Sequence, residues 1–146
     1  MAARAGAPDP AGWFGENLTT AGVDVDAALV GERWRVGSAL LEACGPRKPC
    51  GTFALRMGVP GWIARFGARG RSGAYLAVLE PGSIATGDAV DVVHRPDHGV
   101  DMVRVFRALH DPGAAREVLA AGCLRPPERA RRAGRRQGLT RAEESV

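Results

Sequence analysis

The sequence has few aromatic residues, few cysteines and almost no lysine. Aromatic residues make up 5% of the 146 residues, whereas glycine and proline together contribute 30, so turns and short elements are favoured over long helices in the first hundred residues. Lys48 is the only lysine among 20 basic residues, and this arginine bias, with abundant alanine, is typical of codon bias rather than of a ligand. The length predicts one domain, or one domain with a small appendage.

Several signals of location and of cofactor binding are absent from the sequence. No stretch reaches the roughly 18 apolar residues that a membrane span needs, so no membrane association is predicted. Three cysteines, and an N-terminus without the apolar core of an export signal, predict the reducing cytoplasm. The absence of a Cys-x-x-Cys pair, a phosphate loop, a dinucleotide fingerprint and Gly-x-Ser-x-Gly argues against zinc, nucleotide and α/β-hydrolase sites.

Positive charge is concentrated at the C-terminal end. Residues 1–124 carry equal numbers of basic and acidic side chains, whereas residues 125–146 hold seven arginines against three glutamates. Clustered arginine neutralises phosphates, so a nucleic-acid binder is one hypothesis for this tail. Without interleaved aromatic residues or a recognition helix, the composition fits a solvated end better, and nucleic acid is not the expected partner.

Alternation of apolar and polar residues predicts strands in the first hundred residues. Residues 31–43 alternate on both sides of Gly37-Ser38, which predicts a β-hairpin. Residues 74–79 form the most strand-like run and are predicted to be buried, and residues 89–94 predict a further strand.

Helical spacing takes over at two places in the chain. After Cys50 and again after Pro60, apolar residues recur three and four positions apart, which predicts two short helices. Beyond Pro96 an amphipathic helix is expected, followed by a second helix with Asp111 at its N-cap and Pro112 in its first turn. A third helix from Pro126 is a weaker prediction, because it would have almost no apolar face.

Cys50 is the residue at which chemistry is expected. It follows Pro49 and lies within three residues of Arg47 and Lys48, close to the start of a predicted helix. These surroundings favour the thiolate, which acts as a nucleophile or as a ligand of soft metals. The alternative is a buried structural thiol, as most free cysteines are. Cys44 is predicted to lie in the core, and no chemical role is indicated for Cys123.

Five motifs occur in order between residues 13 and 96, and as a set they resemble a MOSC domain (molybdenum cofactor sulfurase C-terminal). They are Phe14-Gly15-Glu16-Asn17-Leu18-Thr19, Val30-Gly31-Glu32-Arg33-Trp34-Arg35-Val36-Gly37, Pro46-Arg47-Lys48-Pro49-Cys50, Gly73-Ala74-Tyr75-Leu76-Ala77-Val78-Leu79-Glu80-Pro81-Gly82 and Gly87-Asp88. The helices from residue 99 onward resemble the three-helix appendage of the bacterial branch that reduces N-hydroxylated bases such as 6-hydroxylaminopurine.

The resemblance implies a mainly β fold: a partial MOSC-type β-barrel with short helices, followed by a small helical C-terminal appendage. The expected boundaries are a flexible N-terminus at 1–12, the MOSC domain at 13–96, the appendage at 97–135 and a disordered tail at 136–146. Family members usually carry several strands before the Gly-Glu-Asn motif, so the resemblance implies an N-terminally truncated barrel. Its unpaired strand edges would invite an oligomer.

The resemblance also implies a molybdopterin-type molybdenum cofactor. Cys50 would be the molybdenum ligand and the catalytic residue, Asn17 and Thr19 would line the cofactor pocket, and Arg47 would contact the pterin phosphate. The implied activity is reduction of an N-hydroxylated small molecule with electrons from an unidentified donor. The alternative is a non-catalytic binding or sulfur-carrier module in which Cys50 carries a persulfide or shapes the pocket.

Overall fold

The computed structural model describes residues 10–125, in which an antiparallel sheet of four strands is combined with helices. The strands are β1 (Arg33–Val36), β2 (Ala39–Pro46), β3 (Ala74–Glu80) and β4 (Val90–His94). The α-helices are α1 (Gly51–Met57), α2 (Trp62–Arg69), α3 (Met102–Arg107) and α4 (Pro112–Ala120), and a short 3-10 helix spans Val25–Ala27. Residues 1–9, most of the predicted flexible N-terminus, and the predicted third helix at Pro126 lie outside the described residues.

The strand order is β3-β2-β1-β4, and each neighbouring pair is antiparallel. The predicted hairpin is confirmed, because β1 and β2 pair directly across Gly37-Ser38. Gly37 has a φ of 55°, and a Cβ there would lie 2.3 Å from the carbonyl oxygen of Ser83. The hairpin tip therefore packs against the turn that follows β3, and only glycine fits at this contact.

The sheet formed by the described residues is open, so the prediction of a mainly β, barrel-like body is wrong in part. β3 and β4 are the two edges of the sheet, and the four α-helices contain more residues than the four strands. The fold in residues 10–125 is thus mixed α and β. The difference arises because the sheet in these residues has only four strands, so that α1 and α2, which the sequence predicts, together with the two helices after β4 contain more residues than the sheet.

The prediction that residues 74–79 are buried is also wrong. They form β3, but Val78 is 62% and Tyr75 57% exposed. An apolar run of this length is the pattern of a strand covered on both faces, whereas β3 lies at the edge of the sheet and is covered less completely.

The core lies on one face of the sheet, against α3. Trp34 and Leu41 from the central strands pack together with Met102 and Val105 of α3, and Met102 has no exposed surface. Burial of these large side chains supplies most of the driving force for this contact. The loop after β4 and α3 therefore close over the middle of the sheet, while the sheet edges stay exposed.

Buried Glu32 organises the start of β1. It is 2% exposed, and its carboxylate accepts hydrogen bonds from Trp34 Nε1 at 2.7 Å and from the Leu29 amide at 3.4 Å. Arg95, which follows β4, lies 3.1 Å from the same carboxylate. Because a buried charge needs a partner, this ion pair joins the entry of β1 to the exit of β4.

Capping residues define the helix boundaries. Gly58 ends α1 in the left-handed conformation with a φ of 61°. Asp101 caps α3 by accepting a hydrogen bond from the Arg104 amide. Asp111 caps α4 through the amides of Gly113 and Ala114, and Pro112 occupies the first turn as predicted. None of the helices within residues 10–125 combines the length and apolar character that a membrane span requires.

Candidate functional site

Cys50 stands at the junction between the sheet and the helical segment. β2 ends at Pro46, the next three residues leave the sheet, and Cys50 is the N-cap residue of α1. Its side chain is exposed and makes no capping hydrogen bond. The interpretation of Cys50 as a buried structural thiol is therefore wrong, and its sulfur is accessible to a ligand.

The other two thiols are less accessible than Cys50. Cys44 is half-buried in β2, where its sulfur lies 3.3 Å from the Glu42 carbonyl oxygen and 3.6 Å from Arg125 Nη1. Cys123 is also half-buried, and burial raises the pKa of its thiol above the usual value. Of the three cysteines, Cys50 is the one that offers an exposed sulfur for coordination.

Arg47 ties the Cys50 segment to the loop that precedes the 3-10 helix. Its guanidinium donates a hydrogen bond to the carbonyl oxygen of Phe14 and lies 3.8 Å from the centre of the Phe53 ring. This cation-π contact, together with the hydrogen bond, holds α1 against the loop. Arg47 therefore has a structural role in addition to the phosphate contact that the resemblance implies.

The loop of residues 12–19 is built around the carboxylate of Glu16. The Gly12 amide donates to Glu16 Oε1 at 2.6 Å, and the Thr19 hydroxyl donates to the same oxygen at 2.9 Å. Burial by itself would raise the pKa of the Glu16 carboxyl, but these hydrogen bonds and the loop amides of Phe14 and Glu16 hold it below the usual value. Glu16 is therefore ionised at neutral pH and fixes the shape of the loop.

Asn17 and Thr19, the predicted pocket residues, lie on this loop and are exposed. The Thr19 hydroxyl is engaged by Glu16, so Thr19 shapes the loop. The loop is attached to α1 by Arg56, which donates to the carbonyl oxygens of Trp13 and Gly12 at 3.1 Å each. The structure thus joins the loop that bears Asn17 and Thr19 to the helix that begins after Cys50.

Aromatic side chains join the loop, α1, α2 and α3. The ring of Phe14 stacks on Trp62 at 6.5 Å and meets the edge of Phe53 at 6.4 Å. Phe53 contacts Phe66 at 5.3 Å, and Phe66 contacts Phe106 of α3 at 6.1 Å. Trp62 and Phe66 are the aromatic residues of α2 in this cluster, although no residue of α2 is fully buried.

Two buried polar atoms in this region have no hydrogen-bond partner among the described residues. They are Glu16 Oε2 and Trp62 Nε1. Buried carboxylate oxygens and indole N–H groups normally find partners, because leaving either unpaired costs about 1–3 kcal/mol. Glu16 lies in the same loop as Phe14, and Trp62 stacks on the Phe14 ring. This region is therefore a candidate for binding a polar ligand.

The segment around Cys50 is strongly and uniformly basic. Residues 43–79 contain six basic side chains and no acidic one. Arg71 is paired with Asp24 and Asp26, but Lys48, Arg65 and Arg69 are exposed and form no ion pair with another described residue. A segment of one charge sign attracts anions, so the segment that bears the exposed thiol suits an anionic ligand.

The basic character of residues 43–79 is also visible in the sequence, although no motif marks it. Acidic residues are frequent on both sides of residues 43–79, so their absence from 37 consecutive positions is visible without a structure. The role of Glu16 could not be predicted from the sequence. One of its oxygens shapes the loop and the other has no partner among the described residues, and both facts depend on how the loop folds.

A metal site made only of protein groups is not present in residues 10–125. No group of three or more His, Cys, Asp or Glu side chains lies close enough there to hold a metal ion. His98 is engaged by the backbone, since Nδ1 accepts from the Val100 amide at 3.0 Å and Nε2 lies 2.9 Å from the Val30 carbonyl oxygen. A metal held at Cys50 would therefore take its remaining ligands from a cofactor.

Solved structures are similar to this fold. The crystal structure of YiiM from Geobacillus stearothermophilus matches with a TM-score of 0.75 and 27% sequence identity, covering 87% of this chain and 67% of that one. The fold thus defines a class of YiiM-like proteins to which this chain is similar.

The family model of the MOSC domain matches residues 1–91, and the chain belongs to the MOSC domain family. YflK of Bacillus subtilis (strain 168), an uncharacterized protein, is 32% identical over 89 residues, which cover 61% of this chain and 40% of YflK. A protein named reductase from Gibberella moniliformis is 30% identical over 110 residues, which cover 75% of this chain and 20% of that protein. The chain spans less than half the length of the curated relatives it matches.

Proposed function

We propose that this MOSC protein binds a molybdopterin-type molybdenum cofactor through Cys50 and takes part in the reduction of N-hydroxylated small molecules. The observation that carries the proposal is the exposed thiol of Cys50, which lies at the start of α1 within a segment that holds six basic residues and no acidic one. A thiolate is a soft ligand of the kind that molybdenum prefers. When bound, the cofactor supplies the two-electron chemistry for cleavage of an N–O bond.

The charge around Cys50 fits the phosphate of such a cofactor. Lys48 is exposed and forms no ion pair with another described residue, so its ammonium is free to meet an anion. Arg47 keeps further N–H donors besides the one that binds the Phe14 carbonyl, although its guanidinium is held over Phe53. Lys48 is therefore proposed as the principal phosphate contact, and Arg47 as a second contact and a positioning residue.

The loop of residues 12–19 fits the polar edge of a pterin. Glu16 Oε2 is a buried acceptor and Trp62 Nε1 a buried donor, and both lack a partner in the described residues. A pterin carries both N–H donors and acceptor atoms, so it offers complements to each. Asn17 and Thr19 are proposed to line the same side of the pocket, with Thr19 acting through its hydrogen bond to Glu16.

The reductase proposal draws support from one further observation. A relative that is 30% identical over 110 residues is named a reductase. The substrate class comes from the resemblance of residues 99 onward to the appendage of hydroxylaminopurine reductases. Within the described residues the two helices α3 and α4 follow the sheet, and the segment from Pro126, where a third helix is predicted, lies outside them.

Metal analysis of Cys50→Ser tests the ligand assignment. Protein purified from cells that make molybdenum cofactor is expected to contain molybdenum in the wild type and to lose most of it in Cys50→Ser, because a serine hydroxyl is a poor ligand for a soft metal. Cys123→Ser is the matched control and is expected to keep the wild-type content, since that thiol is half-buried and its pKa is raised.

The same preparations test the reaction. With a chemical reductant, the wild type and Cys123→Ser are expected to reduce a hydroxylaminopurine, and Cys50→Ser is expected to be inactive. Equal molybdenum in wild type and Cys50→Ser would refute the ligand assignment. Molybdenum that depends on Cys50 without any reduction of the base would refute the substrate class and leave the cofactor assignment standing.

A further inference from the structure

Helix α3 packs against the sheet and against α2 through different buried residues. Met102 and Val105 lie in the core that covers the sheet, and the Met102 amide donates a hydrogen bond to the Ala28 carbonyl oxygen at 3.1 Å. Phe106 is also buried, and its ring meets that of Phe66 in α2 edge to face, with the ring centres 6.1 Å apart. Helix α3 is therefore anchored to the sheet and supports α2 at the same time.

Phe66 connects Phe106 to the helix that begins after Cys50. Its ring centre lies 5.3 Å from that of Phe53, which is the buried residue of α1. Phe53 lies in the first turn of α1, and the Cys50 carbonyl oxygen accepts the first amide hydrogen bond of this helix at 3.0 Å. The position of the Cys50 backbone therefore depends on where Phe53 is held.

Phe66 also contacts the second group of the proposed site. The ring centre of Trp62 lies 6.2 Å from that of Phe66, and Trp62 Nε1 is the buried donor that has no partner among the described residues. Phe66 thus contacts both Phe53, which holds the start of α1, and Trp62. A shift of Phe66 would change the positions of the thiol and of the indole N–H together.

We propose that Phe106 is a positioning residue for Cys50. It acts through Phe66 and holds α1 and α2 in the place at which Cys50 and Trp62 can contact one ligand. The inference rests on the proposed function, because it takes the molybdenum cofactor as that ligand. It also gives the first helix after the sheet a role in the site, since α1 and α2 have only one buried residue between them and need support from outside.

Amide hydrogen exchange of Phe106→Leu tests the positioning in the full chain without cofactor. Leucine keeps an apolar side chain in the buried space but loses the edge-to-face ring contact, so the amides of α1 are expected to exchange about fivefold faster than in the wild type. Val105→Ala is the matched control, because it removes buried atoms from the neighbouring residue, which packs in the sheet core. It should lower the global stability and leave the local opening of α1 unchanged.

Release of molybdenum from the purified protein tests the consequence for the site. After dilution, Phe106→Leu is expected to lose bound molybdenum about fivefold faster than the wild type, whereas Val105→Ala should lose it at the wild-type rate. Phe66→Leu should release molybdenum at least as fast as Phe106→Leu. Adding Phe106→Leu to Phe66→Leu should accelerate release no further, because Phe106 acts through a contact that is already lost.

Each result decides for or against the proposal. Unchanged exchange of α1 in Phe106→Leu would overturn it, and so would an equal acceleration in Val105→Ala, which would mean a general loss of stability. Faster exchange without faster release of molybdenum would refute the role of Phe106 in the site, as would effects of Phe66→Leu and Phe106→Leu that multiply. A wild type without molybdenum would refute the cofactor assignment alone, and the exchange measurement would then decide whether Phe106 positions Cys50.

Discussion

At the scale of single residues, buried and half-buried carboxylates fix the geometry of the loops around the sheet. Glu16 shapes the loop near Cys50, Glu32 joins β1 to the exit of β4, and Asp26 joins the 3-10 helix to the start of β3. In each case the acid accepts backbone amide hydrogen bonds, which position loops more tightly than an exposed ion pair does. The chemistry proposed at Cys50 depends on the first of these carboxylates.

Asp26 offers a direct test of this role. Its carboxylate accepts from the amides of Ser72 and Gly73 at 2.8 and 2.9 Å and from Arg71 at 2.9 Å. Burial by itself would raise the pKa of Asp26, but these hydrogen bonds and the Arg71 charge hold it below the usual value. Asp26→Asn is expected to lower the free energy of unfolding at pH 7 by about 2 kcal/mol, measured by urea denaturation.

The pH dependence of this difference has a definite sign. A carboxyl whose pKa is lower in the folded state stabilises the fold above its unfolded pKa of about 3.9, and this contribution is lost as the pH falls through the folded pKa. The gap between wild type and Asp26→Asn should therefore close below about pH 4. Asp24→Asn is the control: Asp24 contacts the same arginine but is 57% exposed, so it should cost well under about 1 kcal/mol. A gap that persists at low pH would contradict the assignment.

At the scale of elements, the β1–β2 hairpin is locked to the turn after β3. The Ser38 amide donates to the Ser83 carbonyl oxygen at 3.1 Å, and the Ser83 amide donates to the Ser38 hydroxyl at 2.8 Å. Gly82 permits this approach, since a Cβ there would lie 2.4 Å from the Ser38 carbonyl carbon and 2.5 Å from the Ala39 nitrogen. The nearest atoms are all backbone, so they cannot move aside as a flexible side chain can.

Gly82→Ala is accordingly expected to destabilise the protein by about 2–4 kcal/mol, because the hairpin tip must move away. Gly67→Ala is the matched control, because Gly67 lies inside α2 and nothing is within 4 Å of the Cβ that alanine would add. Since glycine is a poor helix former, this change should keep or raise the midpoint of thermal unfolding. A Gly82→Ala protein that melts with the wild type would show that the turn is not locked.

Sequence patterns predicted these elements well where a short-range signal defines them. Gly37-Ser38, Asp111 and Pro112 mark a turn and a helix start through local chemistry, and each boundary agrees with the structure. Burial of β3 could not be predicted, because the apolar run in Ala74–Glu80 is the same for a central strand and for an edge strand. Which of the two it is depends on pairing with segments far away in the chain.

The candidate site was predictable in part for the same reason. Cys50 was identified from its neighbours in sequence, and its exposure agrees with a role as a ligand. The contact of Arg47 with the Phe53 ring and the unpartnered Glu16 oxygen join residues that are distant in the chain, so no local pattern contains them. The roles of Asn17, Thr19 and Arg47 toward a cofactor stay predictions.

At the scale of the whole molecule, the described residues divide into a well-packed sheet with α3 and a more lightly attached pair of helices, α1 and α2. The core is formed by the central strands and α3, with Trp34 and Met102 almost completely buried. By contrast, α2 has no buried residue and α1 has only Phe53. Attachment of the pair to the rest depends mainly on Arg47, on the Phe14 loop and on the ring contact between Phe66 and Phe106.

Amide hydrogen exchange should show this division directly. Amides of α1 and α2 are expected to exchange faster than those of β1 and β2, because a segment with little buried apolar surface opens without unfolding the core. Phe66→Ala removes the ring contact to α3 and the contacts to Phe53 and Trp62. Since one such contact is worth about 1 kcal/mol, exchange in α1 and α2 should accelerate by roughly fivefold or more while β1 and β2 stay unchanged.

Ile63→Ala is the control for that experiment, since Ile63 lies on the same helix but is 46% exposed and should have little effect. Equal exchange rates in α2 and the central strands would mean that the protein opens as one unit. Cys50 is the N-cap of α1. Faster local opening of α1 would therefore place the proposed molybdenum-binding thiol on the part of the protein that opens more readily. A bound cofactor that contacts Cys50 and the Glu16 loop should then slow exchange in α1 and α2 and leave the central strands unaffected.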